Sequence, residues 1–232
     1  DDAAGPVDEL ALPSPFDFGA SALLYVPRDL PEVSDPGFVD EAAARVARLV
    51  AASGGGAFVL CTSVRNMRAL HARLRARGVP RLLLQGEAPK TALLSRFRAH
   101  GDAVLCATIS FWEGVDVPGR ALRLVVIDKL PFPVPSDPHV AARSLVLEEQ
   151  GENPFLRYHV PTAAISLKQG FGRLIRTATD RGVVALLDRR ARTRGYGISL
   201  LDALPPARRT ESVEETEQFL RDLAGPALPL PL

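Results

Sequence analysis

An arginine pair in a glycine-containing segment is the first feature of the sequence that could do chemistry. The segment from Gln169 to Arg176 reads QGFGRLIR. A helix predicted over 162–176 puts Gln169, Arg173 and Arg176 on one side, opposite an apolar side. A guanidinium is fork-shaped and always charged, so the pair suits the oxygens of a transferring phosphoryl group. Gly172 costs roughly 1 kcal/mol relative to Ala in a helix interior, which suggests that something approaches this backbone closely. The alternative is a solvated surface helix.

A polar loop directly after a predicted strand is the second feature. The segment Ala107–Gly119 carries two hydroxyls, two carboxylates and the single tryptophan of the chain; these residues are Thr108, Ser110, Glu113, Asp116 and Trp112. In an open α/β sheet, ligands bind at the carboxyl ends of the strands, so this loop is well placed for binding. The alternative is a polar connection in which the tryptophan fills the core.

The end of another predicted strand forms the third feature. Cys61-Thr62-Ser63 opens a helix whose exposed faces carry Arg65 and four further arginines. Hydroxyls and backbone amides at a helix N-terminus are good ligands for phosphate. Ser63 could equally be an N-cap and nothing more.

Several other chemistries lack their usual motifs. No glycine-lysine pair exists, so the chain contains no G-x-x-x-x-G-K-[ST] phosphate loop, and G-x-G-x-x-G, G-x-S-x-G and H-E-x-x-H are also missing. Gly54–Gly56 follows a predicted helix and precedes a strand, which indicates a helix stop and not a phosphate nest. Cys61 and Cys106 each lie alone in an apolar run and are interpreted as core thiols of a reducing compartment. With 28 basic and 27 acidic side chains, net charge indicates no particular partner.

The elements that must position these residues alternate along the chain. Short apolar strands near 58–61, 81–84, 103–107, 122–127 and 182–187 are separated by helices of 9 to 15 residues. This alternation predicts an α/β fold with a mostly parallel sheet flanked by helices. Residues 1–36 are rich in proline and are predicted to be a connector or strap, 37–224 the ordered domain, and 225–232 a flexible tail. Ser212 is predicted to cap the last helix.

The three features together resemble the second motor domain of superfamily 2 helicases, specifically the DinG/XPD family of DNA helicases, in its DinG-like form. Cys61–Ser63 is similar to motif IV, Ser110–Gly119 to motif V, and Gln169–Arg176 to the Q-x-x-G-R-x-x-R of motif VI. Asp128–Phe132 and Gly182–Arg190 are also DinG-like. The resemblance covers about residues 14 to 205.

The resemblance implies a RecA-like domain that clamps ATP and Mg²⁺ together with a first motor domain outside this sequence. Arg173 would be the arginine finger and Arg176 a second phosphate-sensing arginine. The remaining nucleotide-site residues would be Gln169, Glu113, Gly114 and Asp116. Single-stranded DNA would be held through its backbone by Thr62, Ser63, Arg65, Thr108 and Ser110.

The sequence therefore predicts the C-terminal motor domain of an ATP-dependent DNA helicase that unwinds DNA in repair or replication. The phosphate loop, the metal-binding acidic motif and any iron–sulfur cysteines would belong to the first domain, so the isolated chain is expected not to hydrolyse ATP. Because no membrane span or signal peptide is recognisable, we expect a cytoplasmic fragment of a longer protein. The alternative is a non-catalytic module that keeps the helicase fold and binds nucleic acid or a protein. A nucleotide-cofactor enzyme with a complete site is disfavoured by the missing glycine motif.

Overall fold

A computed structural model describes residues 16–112, 121–175, 177 and 179–224, without the side chains of 112 and 173. The strands are β1 (Ala22–Tyr25), β2 (Ala57–Cys61), β3 (Leu82–Leu84), β4 (Val104–Thr108), β5 (Leu124–Ile127), β6 (Gly182–Leu186) and β7 (Arg208–Thr210). The helices are α1 (Phe18–Ser21), α2 (Phe38–Ser53), α3 (Val64–Ala76), α4 (Lys90–His100), α5 (Pro138–Glu149), α6 (Val160–Leu174), α7 (Arg190–Thr193), α8 (Gly195–Asp202) and α9 (Val213–Ala224). A short 3-10 helix follows β4 at Ile109–Trp112, and a π-helical turn precedes α6 at Phe155–His159.

The strands form one sheet in the order β3-β4-β2-β5-β6-β1-β7, and every pairing among the described strands is parallel. Alternate residues of β1, β2, β4, β5 and β6 enter two separate apolar cores. Phe58 and Leu60 face the core formed with α4, α6 and α8, whereas Val59 and Cys61 face the core formed with α2, α3 and α9. Helices therefore cover both faces, and the predicted RecA-like α/β fold is confirmed.

The beginning of the chain requires a correction. Ala22–Tyr25, inside the predicted connector 1–36, is an interior strand that pairs with β6 on one side and β7 on the other. All four of its residues are buried. A four-residue apolar run between prolines carries little local signal, and its partners lie some 160 to 185 residues away in sequence. The connector prediction is therefore wrong for this strand, and for residues 1–15, which lie outside the described range, it stays a prediction.

The glycine run after α2 ends the helix, as predicted. Gly54 adopts a φ of 61° and its N–H donates to the carbonyls of Val50 and Ala51. Gly55 has a φ of 81°, and a Cβ there would lie 1.8 Å from the carbonyl oxygen of Asp102. The run therefore serves a tight turn between α2 and β2, where backbone from the α4–β4 connection approaches closely.

The two cysteines are core thiols, as predicted. Cys61 and Cys106 are buried and unbonded to each other. Burial raises the pKa of both thiols, to about 12 for Cys106.

Among the described residues, no helix is long and apolar enough to cross a bilayer.

Candidate nucleotide and nucleic-acid site

Because the strands run parallel, their carboxyl ends meet at one edge of the sheet, which we call the carboxyl edge. The residues that follow β2, β4, β5 and β6 there are Thr62, Ile109, Asp128 and Leu187, and Asp188 comes next. This edge is where open α/β sheets bind their ligands. It includes the hydroxyls of Thr62, Ser63, Thr108 and Ser110, which were predicted from the sequence and which we call the strand-end hydroxyls.

Thr62 and Ser63 form the N-terminal cap of α3. Ser63 is extended, with a φ of −147° and a ψ of 150°, and its Oγ accepts the N–H of Asn66 at 3.2 Å. The predicted N-cap is thus present. The hydroxyl hydrogen of the exposed Ser63 remains able to donate, so capping and phosphate binding are compatible.

A buried carboxylate fixes this cap from the neighbouring strand. Asp128 follows β5, is fully buried, and accepts the Thr62 N–H at 2.8 Å and the Asn66 amide at 2.9 Å. Burial raises the pKa of the Asp128 carboxyl above its usual range, although these two hydrogen bonds act in the opposite direction. Asp128 therefore ties the ends of β2 and β5 together and orients the Thr62–Ser63 turn.

The predicted pair Thr108 and Ser110 also lies at the carboxyl edge. Their hydroxyl oxygens are 3.0 Å apart, and the Gln85 amide oxygen accepts both the N–H of Thr108, at 2.7 Å, and its hydroxyl, at 3.0 Å. Gln85 follows β3, so it links two adjacent strand ends. We did not predict Gln85 from the sequence, because its type and position alone indicate nothing specific.

Part of the positive charge near this edge comes from α3. Arg65 is exposed in the first turn of the helix and pairs with no carboxylate within the described ranges. By contrast, Arg73 is paired with Asp40 of α2 at 2.6 Å, and Arg77 donates to the Asp40 carbonyl. Arg65 is therefore available to a phosphate, whereas the arginines in the last turns of α3 fasten it to α2.

A second buried carboxylate, Asp188, holds the segment after β5. It is fully buried and accepts the Leu130 N–H at 2.9 Å, and it forms an ion pair with Arg190 at 2.6 Å. Its hydrogen bond to the Asp188 carboxylate raises the pKa of Arg190 above its usual value. Asp188 lies in a segment identified only through its family resemblance, and its positioning role was not predicted.

Helix α6 has the predicted division into two sides, but the predicted bounds 162–176 are wrong at the C-terminus, because the helix ends at Leu174 and Ile175 is extended. Its core side is buried: Ala163, Leu167, Phe171 and Leu174. On the other side Gln169 is exposed, and the hydroxyls of Thr162 and Ser166 donate to carbonyls of their own helical segment at 2.7 and 3.2 Å. A Cβ at Gly172 would meet nothing within 4 Å among the described residues, so internal packing does not require this glycine.

Helix α6 runs from the carboxyl edge towards the opposite, amino edge of the sheet. Gly170 packs near Ile127 at the end of β5, whereas Leu174 packs near Gly182 at the start of β6. The last turn of α6, which includes the backbone of Arg173, therefore approaches the amino edge of the sheet, away from Thr62 and Thr108. The predicted residues Glu113, Gly114, Asp116 and Arg176 lie outside the described residues, as does the Arg173 side chain.

The described residues contain no group of three or more His, Cys, Asp or Glu side chains suited to a metal ion.

Comparison with known proteins defines the class. The family model for the helicase C-terminal domain matches residues 46–207. The chain is 47% identical over 213 residues to the ATP-dependent DNA helicase YoaA of Escherichia coli, covering 92% of this chain and 34% of that protein. It is 41% identical over 212 residues to the ATP-dependent helicase DinG of Mycobacterium tuberculosis, covering 91% of this chain and 32% of that protein. The solved structure of S. tokodaii Xpd4 superposes with a TM-score of 0.61 at 16% identity, covering 84% of this chain and 39% of that one.

The chain belongs to the helicase C-terminal domain family. Its fold is RecA-like, and its sequence is similar to helicases named YoaA and DinG, the family that its motifs resemble. It spans about a third of the length of the curated relatives it matches.

Proposed function

We propose that the chain is the second motor domain of an ATP-dependent DNA helicase, and that it works against a first RecA-like domain of the same protein. The observation that carries this proposal is that the strand-end hydroxyls and the last turn of α6 lie towards opposite edges of one sheet. A motor domain needs this division, since it must hold nucleic acid and respond to nucleotide at different places.

On the DNA side, Thr62, Ser63, Thr108, Ser110 and Arg65 contact the phosphate backbone of single-stranded DNA. Hydroxyl and guanidinium donors recognise phosphate without regard to base sequence. Each neutralised phosphate releases counterions, so binding weakens as salt rises. The anchors Asp128 and Gln85 act through these residues and are positioning residues.

On the nucleotide side, Arg173 is the arginine finger and Arg176 the second phosphate-sensing arginine. Gln169, Glu113, Gly114 and Asp116 complete this chain's share of the cleft. The exposed side of α6 at Gln169 and the open space beside Gly172 fit an ATP phosphate approaching from outside the chain. ATP supplies the phosphoryl group, and Mg²⁺ with the phosphate loop comes from the first domain. This chain's arginines stabilise charge on that group and contribute no proton transfer.

ATP hydrolysis by two preparations tests the proposal. The full-length protein should hydrolyse ATP in a manner stimulated by single-stranded DNA, whereas the isolated 232-residue chain should release no phosphate above background, because arginines without a phosphate cradle stabilise nothing. Steady hydrolysis by the isolated chain would contradict the proposal that this chain supplies only part of the ATP site. Absence of DNA-stimulated hydrolysis from the full-length protein would favour a non-catalytic module.

A further inference from the structure

A cavity of about 750 Å³ opens at the carboxyl edge, between the segment that follows β5 and helix α5. Its size is that of a small-molecule or nucleotide site. Aromatic rings and cations share its wall with one of the strand-end hydroxyl residues; the members that matter are Phe132, Phe155, His159, Lys129, Arg190 and Thr62. We call this space the aromatic cavity. Of these six residues, only Thr62 belongs to the proposed DNA contacts.

The rings of the aromatic cavity support one another. The centroids of Phe132 and Phe155 lie 5.2 Å apart, and Tyr196 packs edge-on against both, at 5.7 and 5.0 Å. His159 lies nearly parallel to Phe155, with an interplanar angle of 25° and centroids 6.3 Å apart. All four rings are half-buried, so each is anchored in protein and still has exposed surface. A flat ligand would meet a wall that is already formed.

The charge and hydrogen-bonding groups around the rings suit a nucleotide. The guanidinium of Arg190 lies 5.9 Å from the Phe132 ring centroid and is held there by Asp188. Asn153 accepts the Leu156 N–H at 3.2 Å through its amide oxygen, which leaves its NH₂ group able to donate. An apolar peptide side chain would need neither feature. A nucleobase needs both a stacking surface and polar partners at its edge.

We propose that the aromatic cavity receives a base of single-stranded DNA whose backbone passes over Thr62 and Ser63. This inference rests on the proposed function, because it takes the DNA path from it. Thr62 lines the cavity itself, so a strand bound at the α3 cap has a base within reach of the rings. Base stacking on Phe155 and His159 then adds affinity that backbone contacts do not provide. Because every base has a flat face, the cavity accepts any of the four.

Two DNAs with the same backbone separate base binding from backbone binding. Fluorescence anisotropy should compare the full-length protein on oligothymidylate and on the same length with abasic nucleotides at its centre. Wild type should bind the intact strand about tenfold more tightly. Phe155→Leu should bring this preference below about threefold and leave affinity for the abasic strand unchanged. The matched control is Phe219→Leu, on the far side of the molecule in α9, where the ring contacts Arg181 and Arg208; it should keep the full preference.

The outcomes distinguish this inference from the proposed function. If wild type binds both strands equally, while Ser63→Ala weakens both, the base site is wrong and the backbone contacts stand. If neither strand binds, both proposals are overturned.

A second experiment, photocrosslinking to DNA that contains 5-iododeoxyuridine, uses the wild-type protein and does not depend on the folding of any variant. Adducts on Phe132, Phe155 or His159 support the base site, and adducts only on residues outside the cavity overturn it.

Discussion

Asp188 is the residue whose removal should most clearly expose how the carboxyl edge is held together. It is fully buried and serves both the Leu130 N–H and the guanidinium of Arg190. Removing one partner of a buried ion pair costs about 3–5 kcal/mol, because the other charge stays behind without compensation. The Arg190 side chain is 25% exposed and can regain some water, which moves the expectation to about 3 kcal/mol. Asp188→Ala should therefore lower the free energy of unfolding by that amount.

Urea denaturation followed by circular dichroism measures this change, and an unchanged slope with urea shows that the unfolded reference is the same. Asp188→Asn should lose less, because its amide oxygen still accepts the Leu130 N–H. The control is Asp202→Ala, which removes an exposed ion pair with Arg209 and should cost under about 1 kcal/mol. If Asp188→Ala costs no more than Asp202→Ala, the reasoning about this buried pair is wrong.

Three further changes test other parts of the fold by the same denaturation assay. Asp128→Ala should lower the free energy of unfolding by about 2 kcal/mol or more, because it leaves two hydrogen-bond donors unpaired. Asp128→Asn should cost less, because its amide oxygen still accepts one of the two donors and burial favours a neutral group there; equal losses would contradict this. Gly54→Ala should lower the free energy of unfolding by roughly 1–2 kcal/mol, because Gly54 needs a positive φ. Gly55→Ala should lower it by well over that amount, because Gly55 needs a positive φ and also faces the Asp102 carbonyl. Similar losses for the two variants would refute the close approach of this carbonyl. Burial lowers the pKa of His71, whose Nε2 has no hydrogen-bond partner within the described residues. The unfolded chain therefore takes up the proton first, so stability should fall as pH drops below about 6.5, and His71→Leu should flatten this dependence; parallel pH profiles would argue against it.

Helical and strand periodicity predicted the elements that bury a clear apolar face. The buried side of α6 follows directly from apolar residues at helical spacing, and β2 and β4 are continuous apolar runs. The strand β7 has no such pattern: Arg208 and Arg209 are exposed, and only its pairing with β1 makes it a strand. Short elements of this kind are formed by tertiary contacts and not by local sequence.

The positioning residues were beyond prediction for a related reason. Asp128 acts on Thr62 across 66 residues of sequence, and Asp188 on Leu130 across 58. An aspartate after an apolar strand has many possible roles, and only the parallel sheet shows which backbone N–H it meets. The strand-end hydroxyls could be predicted, because the carboxyl ends of parallel strands must share one edge.

The Arg173→Ala variant of the full-length protein tests the central claim most directly. An arginine finger acts on charge that develops in the transition state, so DNA-stimulated ATP turnover should fall by about 10³-fold or more while nucleotide affinity stays near that of wild type. Arg173→Lys should restore little, because an ammonium cannot make the two-pronged contact. DNA binding without nucleotide should also remain close to wild type, which serves as the control for folding. If Arg173→Ala keeps at least a tenth of wild-type turnover, Arg173 is a structural arginine of α6 and the account of this chain as the finger-bearing motor domain is contradicted.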